Sequence, residues 1–314
     1  MSLLSVVVPC YREADNLPSL HGAIIDATSS AGLAWELILV DDGSPDATGA
    51  VAEQIADQDP RVRAIALSRN FGKESALLAG LRVARGDRVL LMDADLQHPT
   101  ALIPAMVEAM GPGIDQVIAR RSRAGEPWLR KVASQGYYRL MNRISDVPLA
   151  DGEGDFRLLS RRAVDALLGL GEVTRFSKGL FSWIGFSTVS LDYENVPRVG
   201  GASSWSLRGL ANYGIDGAIS FTNKPLRLAT WAGLWMILLT VLYLVWLIWQ
   251  VVVQGIEVPG YVTLVALITG MGGAQLLFLG ILGEYIGRIF VEVKGRPHYV
   301  VKSDSARTPD ARDQ

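Results

Sequence analysis

The stretch Arg88–Pro99, RVLLMDADLQHP, decides how the chain is read. It opens as a short apolar run, Val89 to Met92, and ends abruptly in two carboxylates, Asp93 and Asp95. An apolar run bounded by turn signals predicts a buried strand. Alternate strand residues share a face, so the spacing lets Asp93 and Asp95 converge on one spot. In open α/β sheets ligands sit at the carboxyl ends of strands, where this pair falls. Two close carboxylates repel unless a cation lies between them. Hard oxygen ligands favour Mg²⁺ or Mn²⁺, commonly shared with substrate phosphates. Gln97 supplies a third oxygen at the same spacing. The competing reading gives Asp95 a helix-capping role and Asp93 a local turn bond.

Outward from this stretch, strand-like and helix-like segments alternate. Ser5–Pro9, Trp35–Val40, Val62–Leu67, Arg88–Met92 and Gln116–Ala119 read as strands, with helices near Asn16–Ala31, after Asp46 and up to about Arg85. That alternation predicts a mostly parallel sheet with helices on both faces, an α/β fold. A second acidic cluster, Asp41-Asp42-Gly43-Ser44, stands at the end of the second strand. The glycine-rich Asp151–Arg157 segment reads as a break, followed by a helix over Arg161–Leu168 and a strand over Ser187–Val196. Arg198–Ser204 reads as a flexible loop.

Composition limits the function. The 314 residues carry a formal charge of −2, which gives no support for nucleic-acid binding. The single cysteine, Cys10, excludes an intrachain disulfide and fits a reducing compartment. The first residues enter strand-like sequence with no basic leader, so no signal peptide is expected. Arg120, Arg121, Arg123, Arg130 and Lys131 form a basic run, read either as a solvated helix face or as a surface for anionic lipid or substrate phosphate.

The second half differs in character. Trp205–Phe221 reads as an amphipathic helix at a membrane interface or as a packing helix of the first domain. No charged residue occurs from Ala229 to Ile256 or from Val258 to Gly283. These runs predict two transmembrane helices, roughly Leu228–Val253 and Val262–Ile286. Lys224 and Arg227 on one side, and Arg288, Lys294 and Arg296 on the other, place both termini in the cytoplasm by charge bias. Glu284 and Arg288 form an i,i+4 pair. Gly270–Ala274 would permit close helix packing, within the chain or in a homo-oligomer. The tail from Ser303 to Gln314 is polar and reads as disordered. The expected division is therefore 1–204 catalytic, 205–225 juxtamembrane, 226–290 a transmembrane hairpin and 291–314 a cytoplasmic tail, in a cytoplasmic-membrane protein.

No P-loop, GxGxxG fingerprint or serine nucleophile elbow is present. What remains is a metal-dependent site for a nucleotide diphosphate beside a lipid bilayer. Asp41 or Asp42 can accept a hydrogen bond from a base, Tyr11 can stack on that base, and a metal at Asp93 and Asp95 can neutralise a leaving diphosphate.

Val8-Pro9-Cys10-Tyr11-Arg12-Glu13, Val40–Ser44, Asp93–Gln97 and Gly154-Asp155-Phe156-Arg157-Leu158 together resemble the polyprenyl-phosphate glycosyltransferases of glycosyltransferase family 2. The similarity is to the bactoprenol glucosyltransferase branch, related to dolichyl-phosphate mannose synthase. The resemblance implies a GT-A fold and inverting transfer of one sugar, glucose from a uridine-linked donor, to polyprenyl phosphate. It implies metal ligands Asp93, Asp95 and Gln97, with Asp95 also catalytic. It implies a nucleotide-sugar pocket of Pro9, Tyr11, Glu13, Asp41, Asp42, Lys73 and Asp93, and a catalytic base at Asp155. The chain departs from the family pattern at three places. Arg12 stands for the Asn of P-x-Y-N-E, His98 for the Asp or Asn after DADLQ, and Ser204 for a late-loop Lys. Arg157, Arg175, Lys178 and Arg198 are the candidate cations for the acceptor phosphate. That phosphate is largely a dianion, its second pKa being about 6, so Asp155 is expected to orient the acceptor site through Arg157 or Arg198 as much as to remove a proton. A processive polysaccharide synthase and a catalytically silent membrane scaffold are the alternatives. The absent Q-x-x-R-W motif opposes the first and the carboxylates at both strand ends oppose the second.

Overall fold

Val6, Val7 and Val8 are consecutive and all fully buried. Neighbouring strand residues face opposite ways, so this strand must be covered on both sides. The computed structural model, which describes residues 2–121, 142, 153–173, 175–193, 224–255 and 260–306, shows how. β1 (Leu3–Cys10), β2 (Ala34–Asp41), β3 (Val62–Leu67) and β4 (Arg88–Leu91) alternate with α1 (Leu17–Ser30), α2 (Thr48–Gln58) and α3 (Lys73–Val83). Then come α4 (Ile103–Ala109), β5 (Gln116–Arg121), β6 (Glu153–Ser160), α5 (Arg161–Leu168), α6 (Ser177–Trp183) and β7 (Thr188–Tyr193). The sheet order is β7-β5-β6-β4-β1-β2-β3-β8, where β8 is Val301–Asp304.

The two faces make two cores. Val6, Val8, Leu37, Leu39 and Leu90 pack with Leu20, Ile24, Ile55 and Met106 from α1, α2 and α4. Val7, Ile38, Val40, Val89 and Leu91 pack with Leu77, Val164 and Leu180 from α3, α5 and α6. The parallel part, β3-β2-β1-β4, directs four strand ends and their loops to one edge.

β6 is a strand where the glycine-rich sequence reads as a break. It lies antiparallel between β4 and β5. Its register with β4 pairs Leu91 with Arg157, and continuing two residues past Leu91 sets Asp155 opposite Asp93. The expectation of a disordered tail is corrected at its start, over Ser303–Ala306, and the remainder to Gln314 lies outside the described residues. β8 pairs antiparallel with β3, and Arg63 makes a two-pronged ion pair with Asp304 at 2.9 and 2.7 Å. Ser303 donates to Glu53 and the Ala64 amide donates to Ser305 Oγ. A polar segment can pair at a sheet edge because edge strands need backbone partners more than apolar side chains.

α7 (Lys224–Trp249) continues through a wider turn, Gln250–Gln254, to Gly255 at φ 61°, and α8 (Gly260–Val293) follows. Among the described residues no helix is long and apolar enough to cross a membrane. This overturns the expected transmembrane pair, and with it the multi-pass placement with two cytoplasmic termini. The expectation rested on missing charge, and an uncharged run is not an equally apolar one. Gln250, Gln254, Thr263, Thr269 and Gln275 interrupt these runs, α8 carries several glycines, and Glu284, Arg288 and Glu292 occupy its last turns. Glu284 and Arg288 do approach each other, at 3.8 Å. Both helices expose large apolar side chains, among them Trp231, Trp235, Trp249, Leu276 and Ile286. Glu292 accepts the Val173 amide, which ties the end of α8 to the sheet domain. The expected Trp205–Phe221 helix, the Arg198–Ser204 loop and most of the basic run beyond Arg121 lie outside the described residues.

Candidate active site

Three loops at the carboxyl edge of the sheet build the site, and backbone hydrogen bonds fix each of them. After β2, the carboxylates of Asp41 and Asp42 are almost fully buried. Asp41 accepts the Ser44 amide at 3.1 Å. Asp42 accepts the Phe71 amide at 2.7 Å and the Gly72 amide at 2.9 Å, which pins the loop leading into α3. Burial pushes the Asp42 carboxyl above its ordinary range, and the two amides hold it back only in part. Gly43 sits at φ 62°, with a side chain there blocked by the Arg69 backbone at 2.3 Å, so the turn requires glycine. Gly72, at φ 96°, starts α3 and delivers Lys73 as its first residue.

After β1, Tyr11 is 41% exposed at the mouth of the site. Arg12 adopts φ 61° and donates its amide to Ser44 Oγ, and the Glu13 amide donates to Thr48 Oγ1. The left-handed backbone explains the asparagine common at this position of the resembled family, because Asn tolerates that region better than other side chains.

After β4, the strand ends at Leu91, so Asp93 and Asp95 lie on a loop and not on the pleat. Their convergence comes from a tight turn. Leu96 is left-handed at φ 58°, and the Gln97 amide donates to Asp95 Oδ1 at 3.1 Å. His98 closes the turn from beneath: its Nδ1 accepts the Asp93 amide at 3.1 Å, and its ring stacks on Phe156 at 4.8 Å. Burial holds the imidazole below its ordinary pKa, against the pull of Asp93 and Asp95. That neutral state is the one able to accept an amide at Nδ1.

Pro9, Cys10, Tyr11, Glu13, Asp42, Asn70, Gly72, Lys73, Asp93, Ala94 and Asp95 line one cavity of about 280 Å³. At its floor Lys73 Nζ stands 2.5 Å from Asp93 Oδ1 and 2.5 Å from Asp155 Oδ2. Burial opposes the charge on Lys73, but Asp155 and Asp93 outweigh it and hold the ammonium above its ordinary pKa. Burial likewise opposes ionisation of Asp155, and Lys73 followed by Lys178 outweighs it, keeping that carboxyl low.

Most of the residues expected in the nucleotide pocket are thus brought together, with Asp41 just behind the lining. Gln97 contributes its backbone to the turn and is absent from the lining. Arg157 is 2% exposed, with its guanidinium over Phe181 at 3.8 Å and bonds to Gln116 and Gly154. Arg175 donates to the Leu170 and Leu167 carbonyls. Arg198 lies outside the described residues. Of the three described candidate phosphate cations, Lys178 in the first turn of α6 is the one whose charge bears most on Asp155. Sequence reasoning missed the Lys73 bridge, the His98 contact, and Glu74, which accepts both the amide and the hydroxyl of Ser177 and so anchors α6.

Among the described residues no group of three or more His, Cys, Asp or Glu side chains is arranged to hold a metal. Two carboxylates, Asp93 and Asp95, are nevertheless a fitting donor set for Mg²⁺ or Mn²⁺, which typically take one or two carboxylates and complete their shell with waters and substrate phosphates.

Residues 5–168 match the model described as glycosyl transferase family 2, and residues 224–289 match one described as the GtrB C-terminal hairpin. The chain is 46% identical over 308 residues to CsbB of Bacillus subtilis, named as a glycosyltransferase, covering 98% of this chain and 94% of that one. It is 38% identical over 307 residues to the SfII prophage-derived bactoprenol glucosyl transferase of Shigella flexneri, covering 98% and 99%. The bactoprenol glucosyl transferase of Shigella phage SfV is 38% identical over 305 residues, covering 97% and 99%.

Proposed function

Since the chain belongs to glycosyl transferase family 2 and is a glycosyltransferase, we propose that it moves a single glucose from UDP-glucose to a polyprenyl phosphate, with inversion at the sugar. The observation that carries this reading is the Lys73 ammonium held between Asp93 and Asp155, with Lys73 and Asp93 lining a cavity that Tyr11 and Asp95 also line and Asp155 just behind it. The names of the Shigella relatives support glucose and bactoprenol as the transferred group and the acceptor.

Tyr11 stacks on the donor's base. Asp42 acts indirectly, by holding the Asn70–Gly72 loop and the start of α3 against the cavity. Asp93 and Asp95 would hold Mg²⁺ or Mn²⁺, which would supply positive charge to neutralise the leaving diphosphate. An oxygen of the acceptor phosphate attacks C1 as the bond from C1 to the diphosphate breaks, and the diphosphate leaves with the electron pair. The acceptor starts as a dianion and ends as a phosphodiester monoanion, so the step releases no proton. The difficulty lies in bringing two anions together, and Lys73 and Lys178 supply the positive field for it. Asp155 orients Lys73 at the reacting centre. The buried Arg157 serves the fold beneath β6 and leaves the acceptor to Lys178 and to residues beyond those described. The exposed apolar sides of α7 and α8 offer a surface to the acceptor's hydrocarbon and to lipid around it.

The test is transfer to undecaprenyl phosphate in detergent from a panel of labelled UDP- and GDP-sugars, with Asp95→Asn alongside. Label on the lipid from UDP-glucose alone, lost in the variant, is expected. Transfer from a different donor would overturn the choice of sugar. Growth of the product beyond one sugar would return the reading to a processive synthase.

A further inference from the structure

The floor of the cavity has an unusual charge arrangement. Asp93 stands on the loop after β4 and Asp155 on β6, set opposite each other by the continued β4–β6 register, and a single ammonium bridges them at 2.5 Å on each side. The same Asp93 is half of the carboxylate pair available to a divalent ion. An ammonium 2.5 Å from Asp93 Oδ1 offsets the charge of that carboxylate and repels a divalent ion brought to the same group. Lys73 and the metal therefore oppose each other at Asp93.

The two ends of Lys73 differ in freedom. Its backbone is fixed, because Asp42 holds the Phe71 and Gly72 amides immediately before it. Its side chain is 40% exposed, and those of Asp93 and Asp155 are 32% and 20% exposed. A lysine stem of four carbons lets a compact cation swing over several ångströms from a fixed root. The cavity above it is where a diphosphate would bring new negative oxygens.

We propose that Lys73 is an exchangeable counter-ion: in the nucleotide-free protein it occupies Asp93 and keeps a divalent ion out, and the donor's diphosphate draws it away so that metal and nucleotide bind together. This rests on the nucleotide-sugar reading of the cavity and extends it to the order of binding. Asp155 keeps the ammonium over the cavity during the exchange, so the site never carries three uncompensated carboxylates. With no group of three His, Cys, Asp or Glu side chains arranged for a metal among the described residues, a carboxylate pair that already faces an ammonium makes a weak site until the diphosphate arrives.

The experiment measures free Mn²⁺ by electron paramagnetic resonance in titrations of the full chain, with and without UDP. The proteins are wild type, Lys73→Met, Lys73→Gln and Lys73→Arg. Wild type is expected to bind Mn²⁺ at least tenfold more tightly with UDP than without. Lys73→Met and Lys73→Gln are expected to bind Mn²⁺ alone at least tenfold more tightly than wild type, and to gain far less from UDP. Lys73→Arg, which keeps the charge, is expected to stay close to wild type. If either neutral variant, folded by circular dichroism, binds Mn²⁺ alone no more tightly than wild type while wild type still binds Mn²⁺ with UDP, the exchange is refuted and the nucleotide-sugar reading stands. If wild type binds neither UDP nor Mn²⁺, both fall.

Discussion

Two strands of the sheet end in paired acids, and the pairs do opposite work. At the end of β2, Asp41 and Asp42 are 5% and 3% exposed, and their oxygens accept backbone amides of Ser44, Phe71 and Gly72. At the end of β4, Asp93 and Asp95 are half-buried and line the cavity, and Asp93 faces a cation. The first pair shapes loops, and the second is the one proposed to meet the ligand. Residue type and position do not separate these roles, and neither does the turn, since Gly43 at φ 62° and Leu96 at φ 58° are both left-handed and the Gln97 amide reaches Asp95 Oδ1. What separates them is the partner of the carboxylate: both Asp42 oxygens are taken by the Phe71 and Gly72 amides, whereas Asp93 Oδ1 faces the Lys73 ammonium.

The comparison breaks if the two pairs respond alike to amide substitution. Asp95→Asn is expected to lower glucosyl transfer by about 10²–10³-fold, the range for losing one preorganised charge, with little change in the thermal midpoint. A midpoint fall with transfer per folded molecule intact would reverse the assignment. Asp42→Asn is expected to cost about 1–3 kcal/mol in urea unfolding, because the amide nitrogen cannot accept a second buried N–H. Its effect on transfer follows through the displaced Lys73 loop.

Glu36 extends the contrast to the other end of β2. It accepts from Ser5 Oγ at 2.6 Å, from the Arg85 amide at 2.7 Å and from the Arg85 guanidinium. Burial opposes its ionisation, but Ser5 and Arg85 outweigh it and hold the carboxyl below its ordinary 4.5. A folded pKa below the unfolded one stabilises the fold above about pH 4.5, and this is lost as pH falls through the folded value. Glu36→Gln is therefore expected to cost about 1 kcal/mol at pH 7, discounted for the exposed Arg85 head, and the gap to wild type to close towards pH 3. A gap that widens on acidification would contradict this. The smallest effect concerns Arg12, held at φ 61° where most side chains are strained. Arg12→Asn is expected to stabilise by about 0.5–1 kcal/mol in the same unfolding assay.

The parallel half of the sheet was legible in the sequence because each strand there is an apolar run between turn signals, and α5 matched its expected Arg161–Leu168 span. β6 was not legible, since Gly154 stands at its second position and its apolar residues cluster late. With it went the reason why Asp155 meets Asp93, which is a register that no single segment carries. Lys73 was placed in the pocket by family resemblance, yet its bridge joins residues 82 positions apart. Arg157 shows what residue type leaves open: a guanidinium reads as a phosphate ligand in sequence, and in the fold it is buried and packed over Phe181. The apolar second half shows the limit of counting charges, because among the described residues missing charge alone did not secure a helix long and apolar enough to cross a membrane.

The central claim is direct displacement at the sugar's C1 by an acceptor phosphate, on a floor of Asp93, Asp95, Asp155 and Lys73. The anomeric configuration of the lipid-linked glucose formed from UDP-glucose, read by proton NMR, tests it most directly. A β-linked product from the α-linked donor is the result this mechanism predicts. An α-linked product would contradict it, because retention requires a second displacement that would make a carboxylate such as Asp155 a covalent nucleophile.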